Sequence, residues 1–229
     1  MSHTSIGDRM KKIYLFLLLF FSLFVFTANA QNKVIFQGNT NSNHIYLTFD
    51  DGYSAKNTEK ILNTLLEKKV PATFFIEGEF LVQNPILVRR IAREQTLANH
   101  TFSHKDITKM SNEVFRKDIF KFETEVMRIT GAPVTKYFRP PMGYINSAKK
   151  TILDDLGYTV FKWNVSYYDY VYNDDRGVEY ALNNLLKQTK NGSIILMHTL
   201  TKSNANVLGT AIDKLRAKGF VFASLDELI

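Results

Sequence analysis

The chain of 229 residues is 45% hydrophobic and carries no cysteine. That composition supplies a core for one large domain and excludes disulfides, thiolate metal sites and cysteine nucleophiles. Twenty-nine Lys and Arg against 22 Asp and Glu give a formal charge of +7, but no dense basic run or basic helix accompanies it, so nucleic acid is excluded as the partner and a polyanion such as a bacterial cell wall is favoured.

At the N-terminus, Lys11 and Lys12 precede an apolar run from Ile13 to Phe26, and Ala28-Asn29-Ala30 follows. Positive flank, short apolar segment and small residues in an A-x-A pattern predict a secretory signal peptide over residues 1–30. The run falls short of the roughly 20 residues that span a bilayer, leaving an uncleaved membrane anchor as the alternative. Met10 offers a second start. Residues 31–43 read as a short lead, and 44–229 as one domain.

From His44 onward, short β-like runs alternate with helical patterns. His44–Phe49 predicts a strand, and Ile61, Leu62, Leu65 and Leu66 recur at helical spacing after it. Pro71–Gly78 predicts a strand ended by Gly78, and Pro85 opens a short helix through Arg93. Thr96–His100 is a weaker strand. Ser111 and Glu113 begin a long helix with Phe115, Ile119, Phe122, Val126 and Ile129 on one face, stopped by Gly131 and Pro133. After Thr135–Pro141 come a helix near Ser147–Leu156, a strand at Tyr158–Trp163, a helix from Val178, a strand at Ser193–Thr199, a helix over Asn204–Lys218 and a last strand at Phe220–Ser224. This alternation predicts an α/β fold with a mostly parallel sheet of about seven strands, curled into a distorted (β/α) barrel.

Polar residues interrupt these apolar strands at one end only. Asp50 and Asp51 follow Tyr46–Phe49, His100 follows Thr96–Asn99, Arg139 follows Tyr137–Phe138, Asp169 lies shortly after Trp163, and His198 follows Ile194–Met197. In a parallel barrel all those ends open on one face, where active sites form. Asp50-Asp51-Gly52 taken alone reads as a solvated turn; the shared placement favours a catalytic strand end. His100 and His104, four apart, suit one face of a helical turn and a shared ion. With a carboxylate they form a two-His, one-carboxylate set, compatible with hydrolytic zinc or with non-haem iron(II). A histidine at the end of an apolar strand is commonly structural, but His198 also suits a general acid. The aromatic cluster Tyr167–Asn173 suits sugar stacking or loop packing equally, and Asp174-Asp175 reads as a helix N-cap.

Together "TFDDG", "HTFSH", "RPPMG", "WNVSYYDY" and "ILMHT" resemble, in order, the five motifs of the polysaccharide deacetylases (NodB-homology domain, carbohydrate esterase family 4), from about Ile45 to the C-terminus. The resemblance implies Asp50 as general base, with Asp51, His100 and His104 as ligands of one divalent cation, zinc first, with cobalt, nickel or manganese as alternatives. It implies His198 as general acid, Arg139 paired with Asp50, Asp169 tuning His198, and Pro140, Met142, Trp163 and Tyr170 at the substrate. Met142 stands where many members have tyrosine, Tyr170 where tryptophan is usual, and Ser166 where aspartate is common. "YLTFDDGY", "EKKVPATFFIEGEF", "ITGAPVTKYFRPPMG" and "HTLTKSNANVL" resemble the δ-lactam-biosynthetic (PdaA-like) subgroup of spore formers. That implies an exported monomer acting on peptidoglycan glycan in the cell wall or the forespore intermembrane space, on N-acetylmuramic acid stripped of its peptide. N-acetylglucosamine in peptidoglycan or chitin-like oligomers, or glycan binding without turnover, are the alternatives.

Overall fold

The computed structural model describes residues 34–229; the expected signal segment lies outside them. In chain order the elements are β1 (Val34–Ile35), β2 (His44–Asp51), α1 (Ala55–Lys68), β3 (Ala72–Ile76), α2 (Gly78–Gln83), α3 (Pro85–Glu94), β4 (Thr96–Asn99), α4 (Asn112–Thr130), β5 (Tyr137–Phe138), α5 (Ser147–Asp155), β6 (Thr159–Phe161), α6 (Val178–Gln188), β7 (Ile194–His198), α7 (Lys202–Ala217) and β8 (Val221–Phe222).

Seven strands lie in the order β1-β6-β5-β4-β3-β2-β7, every ladder parallel, with β8 paired to β2. Isolated bridges from Gln37 to Ser193 and from Val165 to Ile195 span the gap between the sheet's two ends. The result is the curled, imperfectly closed barrel that the alternation predicts. β2 shows why it folds this way. Ile45, Leu47 and Phe49 alternate outward into the main core beneath the helices, with Ile61, Leu62 and Leu65 of α1. Tyr46 points inward and packs with Phe75, Ala98, Phe161 and Ile194. Thr48 and Asp50 continue that inner row upward, where the barrel filling changes from apolar to polar.

The structure departs from expectation in four places. β1 forms within the lead, pairing with β6. β2 runs on through both aspartates because Asp50 and Asp51 stay in register with Phe75 and Ile76. Gly78 begins a short helix as well as ending a strand. α7 starts at Lys202, two residues earlier than expected, because the Thr201 hydroxyl caps it by accepting the Asn204 N–H.

Candidate active site

The carboxyl ends of β2, β4, β5 and β7 meet around a cavity of about 440 Å³ lined by Asp50, Tyr53, His100, His104, Met142, Tyr144, Trp163, Ser166, Tyr167, Tyr170, Leu196 and His198. Asp50 and His198 are direct partners in the β2–β7 register, so two proton-transfer candidates stand on neighbouring strands.

Beneath the cavity Arg139 is fully buried, its guanidinium 4.1 Å from the Phe75 ring centroid. Nη1 donates to Asp50 Oδ1 at 2.7 Å, and Nη2 donates to Thr48 Oγ1 at 2.9 Å and to the Lys162 carbonyl at 3.2 Å. Burial alone would raise the Asp50 carboxyl, but His100, Arg139 and His198 together hold it below the usual carboxylate range. Asp50 is therefore an ionised, fixed acceptor whose Oδ2 stands 3.4 Å from His100 Nε2.

The histidine pair arises differently from expectation. Residues 100–104 form an irregular loop, with Thr101 and His104 in the left-handed region at φ 70° and 50°. Side chains satisfy its N–H groups in place of a helical ladder. Asn99 Oδ1 accepts from Thr101, the Asp118 carboxylate from Phe102 and Ser103, and Thr101 Oγ1 from His104. The two imidazoles nevertheless come together, with centroids 4.9 Å apart. His100 donates its Nδ1–H to the Arg139 carbonyl at 2.8 Å, which leaves the Nε2 lone pair toward the cavity. Burial pushes His100 down to about 4 and lowers His104 as well, so both rings are neutral at pH 7.

Asp51, the last residue of β2, is buried and held by hydroxyls. Thr58 and Thr199 hydroxyls donate to its oxygens at 2.9 and 2.6 Å. Burial, reinforced by Asp50, raises this carboxyl to about 7 against those hydroxyls. Among the described residues no three acidic or imidazole side chains are gathered as one ligand group; His100 and His104 stand together, and Asp51 is held by its threonine hydroxyls.

On the other side His198 Nδ1–H donates to Asp169 Oδ1 at 2.7 Å, and the His198 backbone N–H donates to Asp169 Oδ2 at 2.9 Å. Burial works to lower the imidazole, but Asp169 and then Asp50 raise it above its ordinary value. Tyr170 forms the outer wall, its ring 6.0 Å from that of His198, and Tyr53 stands between His104 and His198 at 6.4 and 6.3 Å. Met142 lines the cavity with φ 57°. Gly143, at φ 73°, lets Trp163 approach to a distance where an added Cβ would meet its ring at 3.1 Å. Pro140 is buried away from the lining and braces this turn by accepting the Gly143 N–H. The tyrosine cluster divides: Tyr167 and Tyr170 line the cavity, while Tyr172 is exposed.

Three contributors escaped the sequence reading. Glu77, at the carboxyl end of β3, stands 3.7 Å from His104 Nδ1. It occupies the space that a Cβ on Gly52 would need, with Oε1 2.2 Å from that position. Tyr53 lies within a motif singled out for its aspartates. Asn204, in the first turn of α7, donates to Asp169 Oδ2. Asp175 does cap a helix, but α7 rather than the one following it in sequence, by accepting the Ser203 N–H at 3.0 Å.

A family model for polysaccharide deacetylase matches residues 37–161. The peptidoglycan-N-acetylmuramic acid deacetylase PdaA of Bacillus subtilis is 36% identical, covering 84% of this chain and 73% of that protein. The peptidoglycan-N-acetylglucosamine deacetylase PgdA of Listeria monocytogenes is 36% identical over 80% of this chain, though over only 38% of its own length. The solved structure of Bacillus subtilis PdaA, a family 4 carbohydrate esterase, superposes with a TM-score of 0.82 at 35% identity, covering 86% of this chain and 85% of that one. A CE4 family pseudoenzyme from Bacillus anthracis superposes at 0.80 with 26% identity, covering 87% and 70%. Matched by the family model over more than half its length, and by relatives on the same barrel, this chain belongs to the polysaccharide deacetylases of carbohydrate esterase family 4 and is a hydrolase of that family.

Proposed function

We propose that the chain de-N-acetylates peptidoglycan glycan outside the cytoplasm, at N-acetylmuramic acid residues lacking their peptide, releasing acetate and leaving an amine that condenses with the lactyl carboxyl, with loss of water, to give muramic δ-lactam. The similarity to PdaA supports this substrate. The single observation that carries the reaction class is the pairing, on neighbouring strands lining one cavity, of Asp50, whose carboxyl is held low, with His198, whose imidazole is held high.

The donor chemistry fits one divalent cation. His100 and His104 offer neutral imidazoles, and Asp51 is a buried carboxylate whose recorded partners are hydroxyls and an N–H, none of them cationic. We assign the cation to these three residues, with zinc first and cobalt, nickel or manganese as alternatives. The chemistry it supplies when bound is polarisation of the acetyl carbonyl and acidification of the attacking water, which lets a base as weak as the ion-paired Asp50 suffice. Asp50 takes the proton from that water. Arg139 keeps Asp50 charged and aimed. His198, steadied by Asp169, protonates the departing sugar nitrogen. Trp163 and Tyr170 wall the acetyl site, and the bend at Met142 presents backbone to the carbonyl oxygen, where one N–H donor is worth about 3 kcal/mol of barrier.

N-acetylglucosamine is a second reading with its own support. Among the described residues lining the cavity none is Lys or Arg, and Arg139 beneath it is committed to Asp50. A muramic lactyl carboxylate finds no Lys or Arg side chain there, whereas N-acetylglucosamine needs none. Residues 1–30 act in this reading as the export signal.

Mass spectrometry of peptidoglycan decides, taken intact and after amidase treatment and incubated with zinc-loaded protein. Acetyl loss confined to peptide-free muramic acid supports the first reading, and loss from glucosamine the second. Retention of every acetyl group leaves glycan binding without turnover and overturns both.

A further inference from the structure

The Asp169–His198 pair does not stand alone. Asn204 is 1% exposed. Its Nδ2 donates to Asp169 Oδ2 at 2.6 Å and to the His198 carbonyl at 2.8 Å, while its Oδ1 accepts the Tyr167 hydroxyl at 2.6 Å. The amide can sit only this way round, since turning it would set an oxygen against two acceptors. One side chain thus grips the carboxylate and the main chain of the histidine that this carboxylate serves.

The grip is anchored on the helix side. Thr201 Oγ1 accepts the Asn204 N–H, and the loop from Asp169 to Gly177 is tied twice to the first turn of α7, by Asp175 accepting the Ser203 N–H and by Asp169 accepting the Asn204 amide. Asp169 has one oxygen for the imidazole and one for backbone and amide. Without the amide its second oxygen keeps a single partner, and the plane of the carboxylate is free to turn away from the ring.

We propose that Asn204 is a positioning residue for the proton donor: it fixes Asp169 in the plane that receives the His198 Nδ1–H and fixes the His198 main chain through the same nitrogen. This rests on the reading of His198 as general acid. The charged groups that bear on the imidazole are Asp169, Asp50 and Arg139, with His104 across the cavity, and the Tyr53 and Tyr170 rings flank it. Asn204 acts through the first of these.

Asn204→Ala in the full chain is expected to lower kcat by roughly 10- to 100-fold, as partners of catalytic groups do, with KM changed less than about threefold. The basic limb of the kcat–pH profile moves to lower pH, because a misaligned Asp169 holds the imidazolium less well. Nitrogen-15 NMR of His198 without substrate shows the same downward movement of its titration midpoint. That readout needs no turnover, so a parent enzyme releasing no acetate refutes the proposed function and leaves this inference to the spectrum. Asn57→Ala removes bonds to the Thr199 and Leu200 carbonyls on the adjoining loop without touching Asp169; it is expected to lower stability with the limb unmoved. Should Asn204→Ala fail to fold, Asn204→Leu keeps the size of the side chain without the amide, lowers kcat by a similar factor and moves the limb in the same direction as Asn204→Ala. An unmoved limb and unmoved His198 titration in a folded Asn204 variant overturns the proposal, as does an equal shift in Asn57→Ala.

Discussion

Arg139→Met tests whether the arginine beneath the cavity holds fold and base together. The substitution keeps an unbranched apolar stem against Phe75 and removes the charge at the centre of four polar contacts, to Asp50, Thr48, Lys162 and Phe161. Both ions of the pair are buried, Arg139 completely and Asp50 to 4% exposure. Removing one partner strands the other, at a cost of about 3–5 kcal/mol. At roughly 2–4 °C per kcal/mol for a domain of this size, the melting temperature falls by roughly 6–20 °C. Urea unfolding followed by circular dichroism at pH 7 measures it. The sign of the pH dependence follows from Asp50. In the parent its folded pKa lies below the unfolded value, so its contribution is full above about pH 4 and fades as pH falls through the folded pKa. In Arg139→Met burial dominates and the carboxyl titrates high, so the deficit is greatest near pH 7 and narrows on acidification as Asp50 takes a proton. The double variant Asp50→Leu/Arg139→Met, with both charges gone, recovers most of the loss. A single-variant loss below about 1 kcal/mol, the scale of exposed ion pairs, or a deficit that widens toward acid, would refute the reasoning.

Other expectations are more direct. His198→Gln lowers kcat by about 10²–10⁴ with little change in KM, measured as acetate release, since it removes the proton donor without removing a cavity wall. Dialysis against a chelator abolishes turnover, and added zinc restores it; His100→Ala weakens zinc binding in calorimetry by at least about tenfold. Gly143→Ala forces a side chain into the left-handed region against Trp163, costing about 1–3 kcal/mol and raising KM through displacement of that ring. Asp175→Ala removes the acceptor of the Ser203 N–H in the first turn of α7, leaving the Thr201 cap, and lowers stability by about 0.5–2 kcal/mol in thermal unfolding, with kcat falling only as far as Asn204 is loosened.

The parts of the site legible in the sequence are those that break an apolar strand at its end. Asp50, Arg139 and His198 each follow a run of buried β-forming residues, and a parallel barrel turns that one-dimensional pattern into a shared face. The histidine pair was legible as a pair, but its conformation was not. The loop depends on Asn99 and Asp118, residues with no special spacing to either histidine. Glu77 obeys the same strand-end rule as Asp50 and was open to detection; the following Gly78 drew attention as a stop signal instead. Asp175 signalled a helix cap but not which helix it serves, and Asn204 gave no signal. Asn204 sits 35 residues from Asp169 on a helix face that reads as ordinary packing, and its meaning appears only when α7 docks against the loop. Asp51 shows the same limit from the other side, because threonines at 58 and 199 carry no mark of the carboxylate they hold.

The register that makes Asp50 and His198 partners has one more consequence. Their spacing belongs to a hydrogen-bonded parallel ladder, in which the two residues sit side by side on adjacent strands. The two groups proposed to accept and deliver the proton are therefore held at their spacing by the sheet itself. Whatever enters the cavity meets the two side chains at a spacing that the sheet, and not the ligand, has set.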